Sequence, residues 1–196
     1  MGQQLSFFGE WSRNRPGEPA PVTRRTGDES ELVELHWGLK PRSPEHRPLI
    51  NIRAEGRRFP SHRCLVPATE FFLSTRSAVG RTRWKFTMAD GASFYFAGIW
   101  RPASEDWPES YAVLTTEANL DVAPYKDRQM AVIRREHRNA WLDLTMRQEE
   151  LLRPSRPGAF ESSERDRSVQ PACDRFCQFS APSGGPSYSA SDPELV

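Results

Sequence analysis

The alternation of apolar and polar positions changes character three times along the chain. Residues 1–30 are polar and proline-rich, as in "SRNRPGEPAPVTRRTGDES", and predict no regular element. From residue 31, apolar runs of strand length begin. "ELVELHWGL" predicts a strand that stops at Gly38 and Pro41, and "PLINI", "RCLVPA", "SYAVLTT" and "MAVI" predict further strands. "RWKFTMADGASFYFAGIW" alternates at Trp84, Phe86 and Met88, turns at Asp90-Gly91 and continues as an aromatic run, which predicts a β-hairpin. Helical period arrives late. "RREHRNAWLDL" places Ala140, Trp141, Leu142 and Leu144 on one face, and "TMRQEELL" sets Thr145 and Gln148 at capping-box spacing. Strands followed by a C-terminal helical pair predict an α+β fold with a mixed, largely antiparallel β-sheet or barrel. After Phe160 the periodicity stops, so residues 161–196 predict a disordered polar tail.

Length and composition refine this picture. A chain of 196 residues supports one domain with a real core. Only 37% of it is hydrophobic, but 11% is aromatic, enough to fill a compact interior. No apolar run approaches the roughly 18 residues of a membrane span, and the N-terminus lacks a signal-peptide pattern. We expect a soluble, cytoplasmic protein with no membrane partner. "MGQQLS" fits a short acylation pattern at Gly2 and Ser6, but no polybasic run or second lipid site accompanies it. Cys64, Cys173 and Cys177 are too few for a disulfide framework, and the Cys173/Cys177 pair lacks the partners of a metal site. No glycine-rich phosphate loop follows a strand. No metal and no cofactor are expected.

The formal charge of +1 conceals an arginine-rich stretch: Arg42, Arg47, Arg53, Arg57, Arg58 and Arg63 against Glu45 and Glu55. Arginine's planar fork suits bidentate phosphate contact, although a solvated basic face has the same composition. The same region holds His62-x-Cys64 and, further on, Glu70, a set that suggests a thiol active site. A catalytic thiol needs an exposed, electropositive niche. Cys64 instead opens the apolar run "CLVPA", where a free cysteine behaves as a small hydrophobe.

Several segments taken together resemble one family, the SRAP domain (SOS response-associated peptidase, or abasic site processing protein). They are "LHWGLKP", "PLINIRAEG", "RCLVPATEFF", "WKFTMADGASFYFAGIWRP", "YAVLTTEAN", "PYKDRQMAVI" and "WLDL", in order across residues 19–160. Residues 1–18 form a divergent N-terminal segment. The resemblance implies a bacterial cytoplasmic or nucleoid protein, monomeric, that takes single-stranded DNA with abasic sites as its partner in the DNA damage response. In the family, a cysteine at position 2 captures the ring-opened aldehyde through its α-amine and thiol, giving a covalent cross-link. An asparagine, a glutamate and a histidine orient the sugar and move protons. The peptidase, or hydrolase, label rests on removal of the initiator residue.

Transfer of these roles is uneven. Asn51 and Arg53 match the family's Asn-x-Arg, for the reacting sugar and for phosphate. Trp37 and Gly38 match its Trp-Gly on the DNA surface, where an aromatic ring can stack on a base or pack in the core. Arg128 matches the arginine after the family's histidine, and Arg57 and Arg58 extend the basic stretch. Position 2, however, is Gly2, the histidine position is Lys126, and the glutamate position is Leu73. Glu70 lies three residues before Leu73 and would face the other way on a regular strand, so it substitutes only across a bend or bulge. We therefore expect impaired cross-linking with retained DNA binding. The alternatives are a binding-only or interaction protein, a truncated or mis-started product, and amine-based Schiff-base or lyase chemistry through Gly2 or Lys126. In that last reading Lys126 either forms the imine or merely contacts phosphate.

Overall fold

The structure, a computed structural model, describes residues 15–78 and 80–164. Strands β1 (Pro19–Thr26) and β2 (Glu29–Trp37) form an antiparallel hairpin whose turn holds Gly27 at φ +60°. Pro19–Thr26, within the proline-rich opening, is thus a strand, contrary to the sequence expectation. Its prolines alternate with Ala20 and Val22, which are buried. Pairing of β1 with its other neighbour begins only at Thr23, so the missing N–H groups of Pro19 and Pro21 break no ladder there.

The remaining strands are β3 (Asn51–Arg53), β4 (Arg63–Ala68), β5 (Glu70–Ser77), β6 (Gly80–Met88), β7 (Phe94–Arg101), β8 (Ser110–Glu117), β9 (Arg128–Met130), β10 (Val132–Ile133) and β11 (Phe160–Glu164). β1 pairs with β2, β2 with β8, β8 with β7, β7 with β4, and β4 with β1. That ring of pairings closes a five-stranded barrel. Only β2–β8 and β3–β8 are parallel, so the sheet is largely antiparallel, as expected.

Alternation along the strands divides the core into two layers. Val22, Leu35, Cys64, Val66, Phe96, Tyr111 and Val113 point into the barrel and continue onto Phe71, Phe86 and Phe160 of the second sheet. Leu65, Ala97, Ile99, Ala112 and Leu114 point outward and are covered by Trp141, Leu142, Leu151 and Leu152. Burying each of these large apolar side chains is worth about 1.5–3 kcal/mol.

Three further expectations need correction. The Asp90-Gly91 turn does not close a hairpin: β6 belongs to the three-stranded sheet β11-β6-β5, whereas β7 lies in the barrel. The turn is a corner between sheets, with Ala92 N–H donating to Asp90 Oδ1 and Arg134 reaching Asp90 Oδ2. The helices are short, α1 (Arg138–Leu142) and α2 (Gln148–Leu151), the first preceded by a 3-10 turn at Arg135–His137. Leu144, at φ +60°, leaves the α1 face and is exposed. No capping box forms, because the α2 N-cap is Arg147 and Gln148 is drawn into tertiary bonds: its Oε1 accepts from Phe59 N–H (2.9 Å) and its Nε2 donates to Arg57 O (2.6 Å). Third, residues 161–164, grouped by composition with the tail, pair with β6 in β11. Their exposed side chains look like tail composition, while the ladder is made by backbone alone. Residues 165–196, with Cys173 and Cys177, lie outside the described residues.

Candidate nucleic-acid interface

β8 is the spine on which the candidate residues gather. One edge carries the end of β2, with Trp37 opposite Tyr111, and then β3, with Asn51 opposite Val113 and Arg53 opposite Thr115. The other edge carries β9, with Arg128 opposite Glu117. At about 3.3 Å per residue, Trp37, Asn51 and Arg53 are set roughly 7 Å apart along one edge.

Trp37 is half-buried, its ring parallel to that of Tyr111 at 6.2 Å, and its indole N–H donates to Ile50 O (2.9 Å). Core packing therefore takes one face and its donor. Gly38 is fixed by space as well as by conformation. Its φ is +136°, and an added Cβ would lie 2.8 Å from Pro48 Cβ. The close approach lets the 39–50 excursion fold back so that β3 continues the edge begun by β2.

Asn51 shares the face of Tyr111 and Val113, opposite buried Ile52. Its Oδ1 is buried and accepts no hydrogen bond among the described residues, and the Tyr111 hydroxyl is buried in the same condition. Unfilled buried acceptors are uncommon in folded proteins. Arg53 is exposed and makes no ion pair among the described residues, and the same holds for Arg57 and Arg58. Arg128 differs. It is held by Thr115 and by Glu55, whose carboxylate Oε2 accepts its Nη2 at 2.7 Å. Lys126 is half-buried, two residues before Arg128, at the end of the 118–127 turn.

Asp121 docks that turn. Its carboxylate accepts the N–H groups of Gly158 (2.8 Å) and Phe160 (3.0 Å) and the Asn119 amide (2.9 Å). Partial burial works against the charge, but these donors outweigh it and hold the carboxyl below its usual range.

Glu70 is not brought to this group. β5 pairs with β6 one residue to one residue from Glu70–Thr87 to Ser77–Gly80, with no bulge. Phe71 is therefore in the core and Leu73 packs against it, while Glu70 faces away with Phe72. Glu70 and Leu73 thus stand on opposite faces of β5.

The thiol reading also ends here. Cys64 is fully buried inside the barrel, its Sγ 2.9 Å from where a Cβ on Gly98 would stand, and burial pushes its pKa far up. His62 sits outside on an exposed loop at φ +53°, its ring edge-on to Trp100. Arg63, counted with the basic stretch, is buried. It donates to Phe59 O (2.7 Å) and Trp141 O (3.1 Å) and lies 4.2 Å over the Trp141 ring. Burial lowers its pKa to about 10, which leaves it charged at neutral pH. Glu55, Thr115 and Tyr111 are the residues that sequence reasoning missed. Glu55 alone had a signal, a carboxylate embedded among arginines.

Fold and site together define a small α+β barrel protein with an arginine-bearing polar edge beside β8. A family model described as SOS response associated peptidase (SRAP) matches residues 11–171, and the chain belongs to that family. The match extends past both ends of the 19–160 span marked by the motifs. Among solved structures, a protein from Bacteroides thetaiotaomicron is similar at 22% identity and a TM-score of 0.61, covering 78% of this chain and 75% of its own. A protein from Bordetella bronchiseptica (21%, TM-score 0.61, 77% and 85%) and a phage-related protein of the same organism (24%, 0.61, 76% and 79%) are similar in the same way. At these identities the likeness speaks for the fold. No curated protein matches the sequence. Among the described residues, no helix is long and apolar enough to cross a membrane.

Proposed function

We propose that the chain binds single-stranded DNA along the β3–β8 edge and meets abasic sites there, with the family's cross-linking chemistry impaired. The observation that carries this reading is the buried acceptor of Asn51, unfilled among the described residues, two residues from exposed Arg53, which makes no ion pair among them. A sugar hydroxyl is a donor of the kind Asn51 lacks, and a phosphate is the anion Arg53 suits. Impairment follows from two groups that the family resemblance marks as replaced: Lys126 in place of the histidine and Leu73 in place of the glutamate. Fluorescence anisotropy with a labelled single strand tests binding. Micromolar or tighter association that weakens steeply with salt is expected. No association at low salt overturns the proposal.

Lys126, half-buried and without an ion pair among the described residues, favours a second reading, amine chemistry. Its neutral Nζ would add to the C1′ aldehyde of a ring-opened abasic site, and loss of water would leave an imine that water later reverses. Borohydride would reduce that imine to a stable amine. A trapped adduct that disappears when Lys126→Ala is combined with a blocked N-terminus supports this chemistry. With no adduct from the wild type, or an undiminished one from that variant, Lys126 serves only to contact phosphate.

A further inference from the structure

We infer that Glu55 is a positioning residue that sets how Arg128 meets a DNA phosphate. The inference rests on the DNA-binding reading above. Arg128 uses one edge of its guanidinium internally: Nε lies 3.3 Å from Thr115 Oγ1, while Nη2 donates to Thr115 O (2.7 Å) and to Glu55 Oε2 (2.7 Å). Nη1 makes no hydrogen bond among the described residues. The fork is therefore pinned along its Nε–Nη2 side, with Nη1 left for a ligand. Its side chain is 22% exposed, so part of it stays open to a ligand.

Glu55 is itself fixed. Its Oε1 accepts the backbone N–H of Glu117 (2.9 Å), so one carboxylate joins the chain after β3 to the end of β8 and to the start of β9. Both oxygens are in use, one for each partner. A glutamine cannot reproduce this, because it puts an NH₂ donor at the place of one of the two oxygens, facing an N–H group that then has no acceptor there. Glutamate at this point also lies between Arg53 and Arg57, where a carboxylate opposes the local positive charge. If Glu55 acted only through its charge, removing it would tighten DNA binding.

These roles predict opposite signs, which makes Glu55→Gln the decisive variant. Affinity for a labelled single-stranded oligonucleotide is measured by anisotropy across a salt series for wild type, Glu55→Gln, Arg128→Ala and the double variant. Thermal unfolding of each protein checks that it is folded. The positioning role predicts that Glu55→Gln weakens binding about five- to tenfold and flattens the salt dependence as Arg128→Ala does. The double variant is then no weaker than Arg128→Ala alone, since both changes remove one contact. Arg128→Lys, which keeps the charge but cannot be held on one edge while donating from another, shares the loss. Tighter binding by Glu55→Gln, or additive losses in the double variant, overturns the inference while leaving DNA binding intact. If Glu55→Gln does not fold, an Arg128→Lys protein that binds like wild type overturns it equally. A wild type that does not bind DNA removes the inference and the reading beneath it together.

Discussion

Strands β3 and β4 begin twelve residues apart, and each offers an arginine beside a residue able to do chemistry. In β3 these are Arg53 and Asn51; in β4, Arg63 and Cys64. Their fates differ completely. β4 is a wall of the closed barrel, with β1 on one side and β7 on the other. Cys64 faces the barrel interior, and Arg63 faces the layer under α1, where two carbonyls and an indole ring satisfy it. Among the described residues β3 pairs with β8 alone. Its arginine is exposed, and its asparagine keeps an acceptor unfilled. Residue type nominated both strands, but position relative to the barrel separates a structural pair from a candidate site.

The comparison can be broken most forcefully at Arg63. Removing it leaves the Phe59 and Trp141 carbonyls without their donor and strips the Trp141 ring of its cation. Arg63→Ala should cost about 2–4 kcal/mol of stability by denaturant unfolding, with no change in the salt dependence of DNA binding. A stable variant with altered binding would put Arg63, not Arg53, in the site. Gly38→Ala comes next. The positive φ and the contact with Pro48 should together cost about 1–3 kcal/mol and displace β3 from the edge. A lower melting temperature is expected, with weaker binding even where the protein is folded.

Asp121→Asn should have a smaller effect, and one that depends on pH. The folded carboxyl titrates below its unfolded value of about 3.9. Its stabilisation is therefore fully present above that value and is lost as pH falls through the depressed folded value. At neutral pH the variant should be less stable by about 1–2 kcal/mol, and the gap should close under acid conditions. A pH-independent gap in urea midpoints would mean that the docking of the 118–127 turn does not depend on this charge.

Much of this contrast was legible in the sequence, and the rest has identifiable reasons for being hidden. "RCLVPA" reads as a buried strand and is one over the same residues, because a continuous apolar run needs no knowledge of its partners. Period two also placed Glu70 opposite Leu73, and the bulge-free β5 keeps it there. β1 was hidden by its prolines, whose tolerance depends on where pairing with β4 begins. The Asp90-Gly91 turn has the chemistry of a hairpin and of a corner alike, and only the sheets on either side tell them apart. Gln148 matches a capping box, but its partners lie some ninety residues away. The same holds for Glu55, which meets Arg128 across 73 residues. An unfilled acceptor such as Asn51 Oδ1 has no signature in one dimension.

The most direct test of the β3 edge is a salt series of single-strand binding for wild type and Arg53→Glu, both confirmed folded. Binding near 0.1 M salt should be roughly tenfold weaker for the variant, with a shallower salt slope and an unchanged melting temperature. Equal affinity and equal slope in the two proteins would contradict binding along the β3 edge.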